Sequence, residues 1–148
     1  MESTQRVPKT ELARNTRKVI REAQHGYTVV VESHGRAEVV ILDIVDYRLL
    51  RAFSHFYAKN PEVSGGGLDE SVALAAGNIQ DKFDLVMAYY IEEEISLGRM
   101  AELLGLPWID LQARLLRLDL PIKIGALDET DAYAEIEAAR DYDSDSRS

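Results

Sequence analysis

The stretch Val7-Pro8-Lys9-Thr10-Glu11-Leu12-Ala13-Arg14-Asn15-Thr16-Arg17-Lys18 sets both the fold and the charge of this chain. Residues 4–8 read as a short strand ending at Pro8, which is tolerated at a sheet edge but not inside a sheet. Thr10 is the expected helix N-cap. Leu12, Thr16, Val19, Ile20 and Ala23 recur at helical spacing to about residue 24, and Gly26 supplies the C-terminal stop. Between positions 3 and 21, six basic side chains (Arg6, Lys9, Arg14, Arg17, Lys18, Arg21) face one acid, Glu11, on a protein of net charge -9. Such a cluster around a helix start is the footprint expected of phosphate binding. The alternative is an ordinary solvated helix face.

Downstream, Tyr27–Ser33 and Arg36–Asp43 are β-branched runs flanking His34-Gly35, a tight-hairpin signal. Val29-Val30-Val31 and Val39-Val40-Ile41-Leu42 predict a hairpin buried on both faces. Asp43 opens the next helix, with Asp46 three residues on as a weak capping box. Ile44, Val45, Tyr47, Leu49, Leu50 and Phe53 form its apolar face. The order β-α-β-β-α within residues 1–57 is small for an autonomous core, so oligomerisation is expected.

Thr10-Glu11-Leu12-Ala13-Arg14-Asn15, then Gly26, Ser33-His34-Gly35-Arg36, Val39-Val40-Ile41-Leu42 and Asp46-Tyr47 together resemble the Phd/YefM family of bacterial antitoxins over residues 4–54. The resemblance implies a symmetric dimer with joined sheets that binds a palindromic operator through the β1–α1 end. It places Arg14 and Asn15 at the DNA, with Lys9 and Thr10 nearby on phosphates. Arg6, Arg17 and Lys18 complete the expected DNA-binding set. Many members carry arginine where this chain has Ala13, which shifts that contact to Arg14 or removes it.

Residues 58–78 read as a linker, with Pro61 and Gly65-Gly66-Gly67 as its flexible part. Ile79, Phe83, Val86, Met87, Tyr90 and Ile91 make an amphipathic helix to about residue 94. Ser96 as N-cap, Ala101 and Gly105 four apart, and Pro107 before a further helix read as a helix-turn-helix within residues 79–120. Its second helix offers Trp108, Asp110, Gln112, Arg114 and Arg117. An acid in the first turn is poorly suited to base edges, so a protein-binding or structural role is the expectation. This segment also resembles a helix-turn-helix family of uncharacterised bacterial proteins associated with PIN-domain toxins, on Ile95–Gly105 and Leu120-Pro121-Ile122 with the acidic tail. Residues 121–148 then read as a toxin-binding tail: a strand at Ile122-Lys123-Ile124, a helix over 128–142 with Tyr133 and Ile136 on its sparse apolar face, and an end without core-forming residues. Trp108, Ile122, Lys123, Ile124, Tyr133, Ile136 and Arg140 are the expected toxin contacts.

Charge splits along the chain. Residues 1–57 carry nine Lys/Arg against seven Asp/Glu, and residues 58–148 carry eight against nineteen. The first part tolerates a polyanion and the second repels one. No apolar run approaches membrane-spanning length and no signal-peptide core is visible. The absence of cysteine excludes disulfides and thiol chemistry and fits a cytoplasmic protein. No nucleophile triad, P-loop or dinucleotide glycine pattern can be assembled, and three scattered histidines make no metal site, so neither enzyme activity nor a cofactor is expected. The expectation is an α+β antitoxin: a dimer that autorepresses its operon, binds a PIN-type ribonuclease, and forms a higher assembly with it. The runner-up is a stand-alone transcriptional regulator without a toxin partner.

Overall fold

The computed structural model describes residues 3–123. Among them lie a three-stranded sheet and seven helices, a mixed α+β protein: β1 (Thr4–Pro8), α1 (Lys9–Arg14), α2 (Thr16–Gln24), β2 (Thr28–Ser33), β3 (Arg36–Ile41), α3 (Ile44–Lys59), α4 (Glu70–Leu74), α5 (Ile79–Ile91), α6 (Leu97–Leu104) and α7 (Trp108–Arg117). The chain divides into two compact units between Leu50 and Arg51, inside α3. No described helix is long and apolar enough to cross a membrane.

In the first unit β2 is central, parallel to β1 and antiparallel to β3. A parallel pair needs a crossover connection, and α1 and α2 supply it. Val29 and Val31 of β2 point to the same face and are fully buried with Val7, Val19 and Ala23, while Leu12 and Ile41 pack against this core. Each such valine contributes about 1.5–3 kcal/mol relative to exposure. The His34-Gly35 turn has positive φ at both positions (53° and 75°), as a type I′ hairpin turn requires. Asp43 caps α3 through its carboxylate, which accepts from Val45 N at 3.0 Å.

Two local expectations change here. The helix starts at Lys9 with Pro8 in the N-cap position, so Thr10 lies inside it and makes no cap. Proline already holds the extended backbone of a helix entry (φ -73°, ψ 155°), so no side-chain cap is required to begin the turn. The expected single helix is also two: Asn15 (φ -126°, ψ 49°) ends α1 and begins α2. Its amide donates to Glu11 Oε1 at 2.8 Å, and the neighbouring Thr16 hydroxyl donates to Leu12 O at 2.6 Å. A hydroxyl that bonds the carbonyl of the preceding turn, as Thr16 does, bends helices.

The hairpin is not buried on both faces. Val39 and Val40 are 54% and 56% exposed, although alternation sends them to opposite sides of the sheet. β3 is an edge strand, and among the described elements the helices α1 and α2 meet the sheet mainly at β1 and β2. A register slip between Val31 and Glu32 pairs Val31 with Val39 and Glu32 with Ala37, leaving Glu38 as the extra residue of a bulge.

In the second unit, Phe83, Val86, Met87, Tyr90 and Ile91 of α5 are buried with Met100 and Leu104 of α6 and Leu111 and Leu115 of α7. Ile79, at the first helical position, is instead 55% exposed, and α5 ends at Ile91 rather than near residue 94. The Ser96 hydroxyl accepts from Arg99 N at 3.0 Å to cap α6, and Gly105 in the left-handed region (φ 69°, ψ 32°) ends it. Pro107 then enters α7.

The glycine segment is tied down rather than loose. Ser64 Oγ lies 2.7 Å from the Tyr89 hydroxyl, Gly66 N donates to Glu94 Oε2 at 3.2 Å, and Leu68 is buried. Asp69 caps α4 by accepting from Ser71 N, and Ala73 is buried. These anchors offset the entropy that a run of glycines loses on ordering. After α7, Leu120 N donates to Leu115 O and the Tyr90 hydroxyl donates to Pro121 O and accepts from Lys123 N. Ile122 and Lys123 adopt no strand, because the hydroxyl takes the backbone groups a sheet partner would use. Ile124, Tyr133, Ile136 and Arg140 lie outside the described residues, as does the expected helix over 128–142.

Candidate functional site

The β1–α1–α2 junction brings the expected DNA-binding residues onto three consecutive elements. Arg6 lies on β1, Lys9 and Thr10 open α1, Arg14 closes it, Asn15 forms the break, and Arg17 and Lys18 occupy the first turn of α2. All seven residues are exposed or partly so, and Arg21 follows one turn later.

They fall into two groups. Arg6 pairs with Glu32 of β2, and Lys9 with Glu38 of β3. Both pairs are largely exposed and therefore weak and screened by salt, so phosphates can compete for these cations. Glu38, which pairs with Lys9, is the extra residue of the β3 bulge, a feature without a distinct signal in the sequence. Arg14, Arg17, Lys18 and Arg21 form the second group. Among the described residues no acid lies within ion-pair distance of these four.

Their position has an electrostatic meaning. Arg17 and Lys18 sit at the N-terminal, positive end of α2, which has no acid in its first turn and no side-chain cap. A cation there is unfavourable by about 0.3–1 kcal/mol. An anion bound at the helix start reverses that sign, because it interacts favourably with both the dipole and the cations. The Asn15 break adds a second helix start to the same short segment, whereas one continuous helix would bury these amides in its own ladder. A cleft of about 310 Å³ beside this face is lined by Arg6, Val7, Glu11, Lys18, Val19 and Glu22 among others. Two acids against two bases balance its charge, so it singles out no small anion.

The second unit offers a different surface. Asp110 is held by Arg114 at 2.9 Å, and Arg99 is tied to Glu102 at 2.8 Å. The outward side of α7 presents Ile109 and Leu116, each 61% exposed, with exposed Ala113 between them. It carries no charge on that stripe, which disfavours phosphate contact. Trp108, an expected toxin contact, is half-buried beside the exposed pair. The i, i+7 spacing of Ile109 and Leu116 places them on the side of α7 opposite the buried Leu111 and Leu115. Lys123 is half-buried, with its ammonium 3.9 Å from Glu93.

No protein-family model matches the chain, and no match was found among curated proteins or solved structures.

Proposed function

We propose that this protein is the antitoxin of a type II toxin–antitoxin pair. In this reading it binds operator DNA as a dimer through the β1–α1–α2 junction, and neutralises a PIN-type ribonuclease through the C-terminal part of the chain. The observation that carries the DNA reading is the exposed set Arg14, Arg17, Lys18 and Arg21, none of them ion-paired among the described residues, at two closely spaced helix ends. Arg14 and Asn15 reach base edges, while Arg6, Lys9, Thr10, Arg17 and Lys18 hold backbone phosphates. The exposed edge strand β3, with Val39 and Val40 open on its two faces, supports the dimer. Pairing two such edges about a two-fold axis would place two basic junctions on one duplex. The toxin assignment is supported by the sequence resemblance.

Retardation of the protein's own upstream DNA tests the first part. Arg14→Ala should abolish the shift and leave the dimer intact by sedimentation; a variant that still retards DNA like the parent refutes the contact assignment. Co-expression with the product of the adjacent gene, followed by co-purification, tests the second part. Operator binding without any co-purified partner would leave a stand-alone regulator.

A further inference from the structure

Strand β1 forms the other edge of the sheet, and nothing above uses its free side. In a parallel pair a strand turns alternate residues to its neighbour. Thr28 N donates to Ser3 O at 2.8 Å, and Thr4 stands opposite Thr28. Ser3, Gln5 and Val7 therefore turn their backbone groups to β2, while Thr4 and Arg6 turn an N–H and a C=O outward. Among the described residues nothing pairs with those outward groups. Pro8, the next outward position, has no N–H and ends the edge.

The cleft of about 310 Å³ runs along this edge, lined by β1 on one side and by Glu11, Lys18, Val19 and Glu22 of α1 and α2 on the other. We propose that it seats an extended peptide, which joins β1 as a fourth, antiparallel strand and carries an acid and a base two residues apart. An open edge beside a helix is the geometry for strand addition: backbone bonds hold the peptide, and alternate side chains select it.

Charge identifies the occupant. Of the charged groups lining the cleft, Arg6 is paired with Glu32, and Glu11 accepts from Asn15 Nδ2. Lys18 and Glu22 stand one turn apart on α2, and among the described residues neither side chain has an ion pair, with each other or elsewhere. They are about 6 Å apart by helical rise. Side chains on one face of a strand repeat at about 6.8 Å, so an acid and a base two residues apart match both. The chain leaves β1 at Pro8 and returns to Thr28, beside Thr4, which puts Lys18 toward the Pro8 end and Glu22 toward the Thr4 end. An antiparallel peptide therefore places its acid first, opposite Val7, and its base second, opposite Gln5. A second copy is a poorer occupant, because its own β1 offers the uncharged Gln5 and Val7 on that face.

The inference rests on the sheet edge and not on the DNA reading. A seated strand takes Lys18 from a duplex, so the two ligands exclude one another at that cation.

The test uses the full-length protein without DNA, and labelled acetyl-Val-Thr-Glu-Thr-Lys-Thr-Val-amide followed by fluorescence anisotropy. It should bind about tenfold more tightly than acetyl-Val-Thr-Lys-Thr-Glu-Thr-Val-amide, which has the same composition with the charges exchanged. Lys18→Glu/Glu22→Lys should reverse that preference; the exchange keeps the net charge and gives the helix its better i, i+4 order. Equal affinities for the two peptides in the parent, an unreversed preference in the variant, or no binding up to about 1 mM peptide overturns the proposal. Arg6→Pro, which removes an outward N–H, should weaken the peptide at least about fivefold more than Arg6→Ala, which keeps it. Equal losses overturn the backbone pairing. A fall in the mass of the unliganded protein on Arg6→Pro in sedimentation equilibrium, absent in Arg6→Ala, would make a second copy the occupant and overturn the proposal as well. None of these failures touches operator binding, which is measured separately.

Discussion

Two helices of this chain start on a proline, and they serve opposite ends. Pro8 opens α1 and Pro107 opens α7; both prolines are extended, and neither helix has a side-chain cap bond. After Pro8 comes Lys-Thr-Glu-Leu-Ala-Arg, a helix with no buried residue, whose bases and those of α2 face outward. After Pro107 comes a helix that buries Leu111 and Leu115 completely and shows Ile109 and Leu116 on its far side. The same backbone device can thus present charge or fill a core. What decides is the periodic placement of aliphatic residues after the proline, and whether a neighbouring element is available to cover them.

The contrast is most sharply broken in the core of the second unit. Leu111→Ala leaves a cavity where α7 meets its unit and should cost about 2–5 kcal/mol, whereas Leu12→Ala beside α1, on a half-buried side chain, should cost less. Equal losses in urea denaturation would mean that α1 is as integral to its core as α7. Next in size is the charged side. Replacing both Arg17 and Lys18 with glutamine should reduce the slope of log affinity against log salt by about 2, close to the value for two lost phosphates. The matching change in the second unit, Arg117→Gln, should leave the slope unchanged; a fall there would bring the helix-turn-helix onto DNA.

Val40→Lys on the open edge of β3 should drive the protein to monomer at micromolar concentration in sedimentation equilibrium and lower its melting temperature by the lost association. A dimer that persists would move the interface elsewhere. Smaller still, Ser96→Ala removes the cap of α6 and should cost about 1 kcal/mol. Glu38→Gln frees Lys9 and should strengthen DNA binding by a few tenths of a kcal/mol, the scale of an exposed pair. A weaker complex would indicate that Glu38 orients Lys9 rather than competing for it.

The three strands of the sheet, the His34-Gly35 turn, the Ser96 and Gly105 helix limits and most of the second core were legible from local pattern. Each depends on residues a few positions apart: a pair of turn residues, a hydroxyl three residues before an amide, leucines at helical spacing. The hairpin was misjudged for the converse reason. Val39-Val40-Ile41 has the composition of a buried strand, but composition does not reveal that covering helices stop short of an edge. The Asn15 break was hidden too, because Leu12, Thr16 and Val19 keep helical spacing across it. The basic cluster of the candidate site was visible as a charge count; that Arg6 and Lys9 face acids on β2 and β3 while Arg14, Arg17, Lys18 and Arg21 do not was invisible, since those acids are distant in sequence.

By itself the sequence determined the limits of β1 to β3 and of α5 to α7 to within a few residues, and where positive charge gathers, but neither the break at Asn15 nor the non-strand path of Ile122 and Lys123. Those properties arise from backbone preference and from neighbours on one turn or one strand. Only the tertiary structure decided which valines stay exposed, that Glu38 bulges toward Lys9, that the glycine run is held by Tyr89 and Glu94, and that α7 turns two aliphatic side chains away from its core. Each of these depends on which surfaces meet across tens of residues, and burial is a property of the pair of surfaces rather than of either stretch alone.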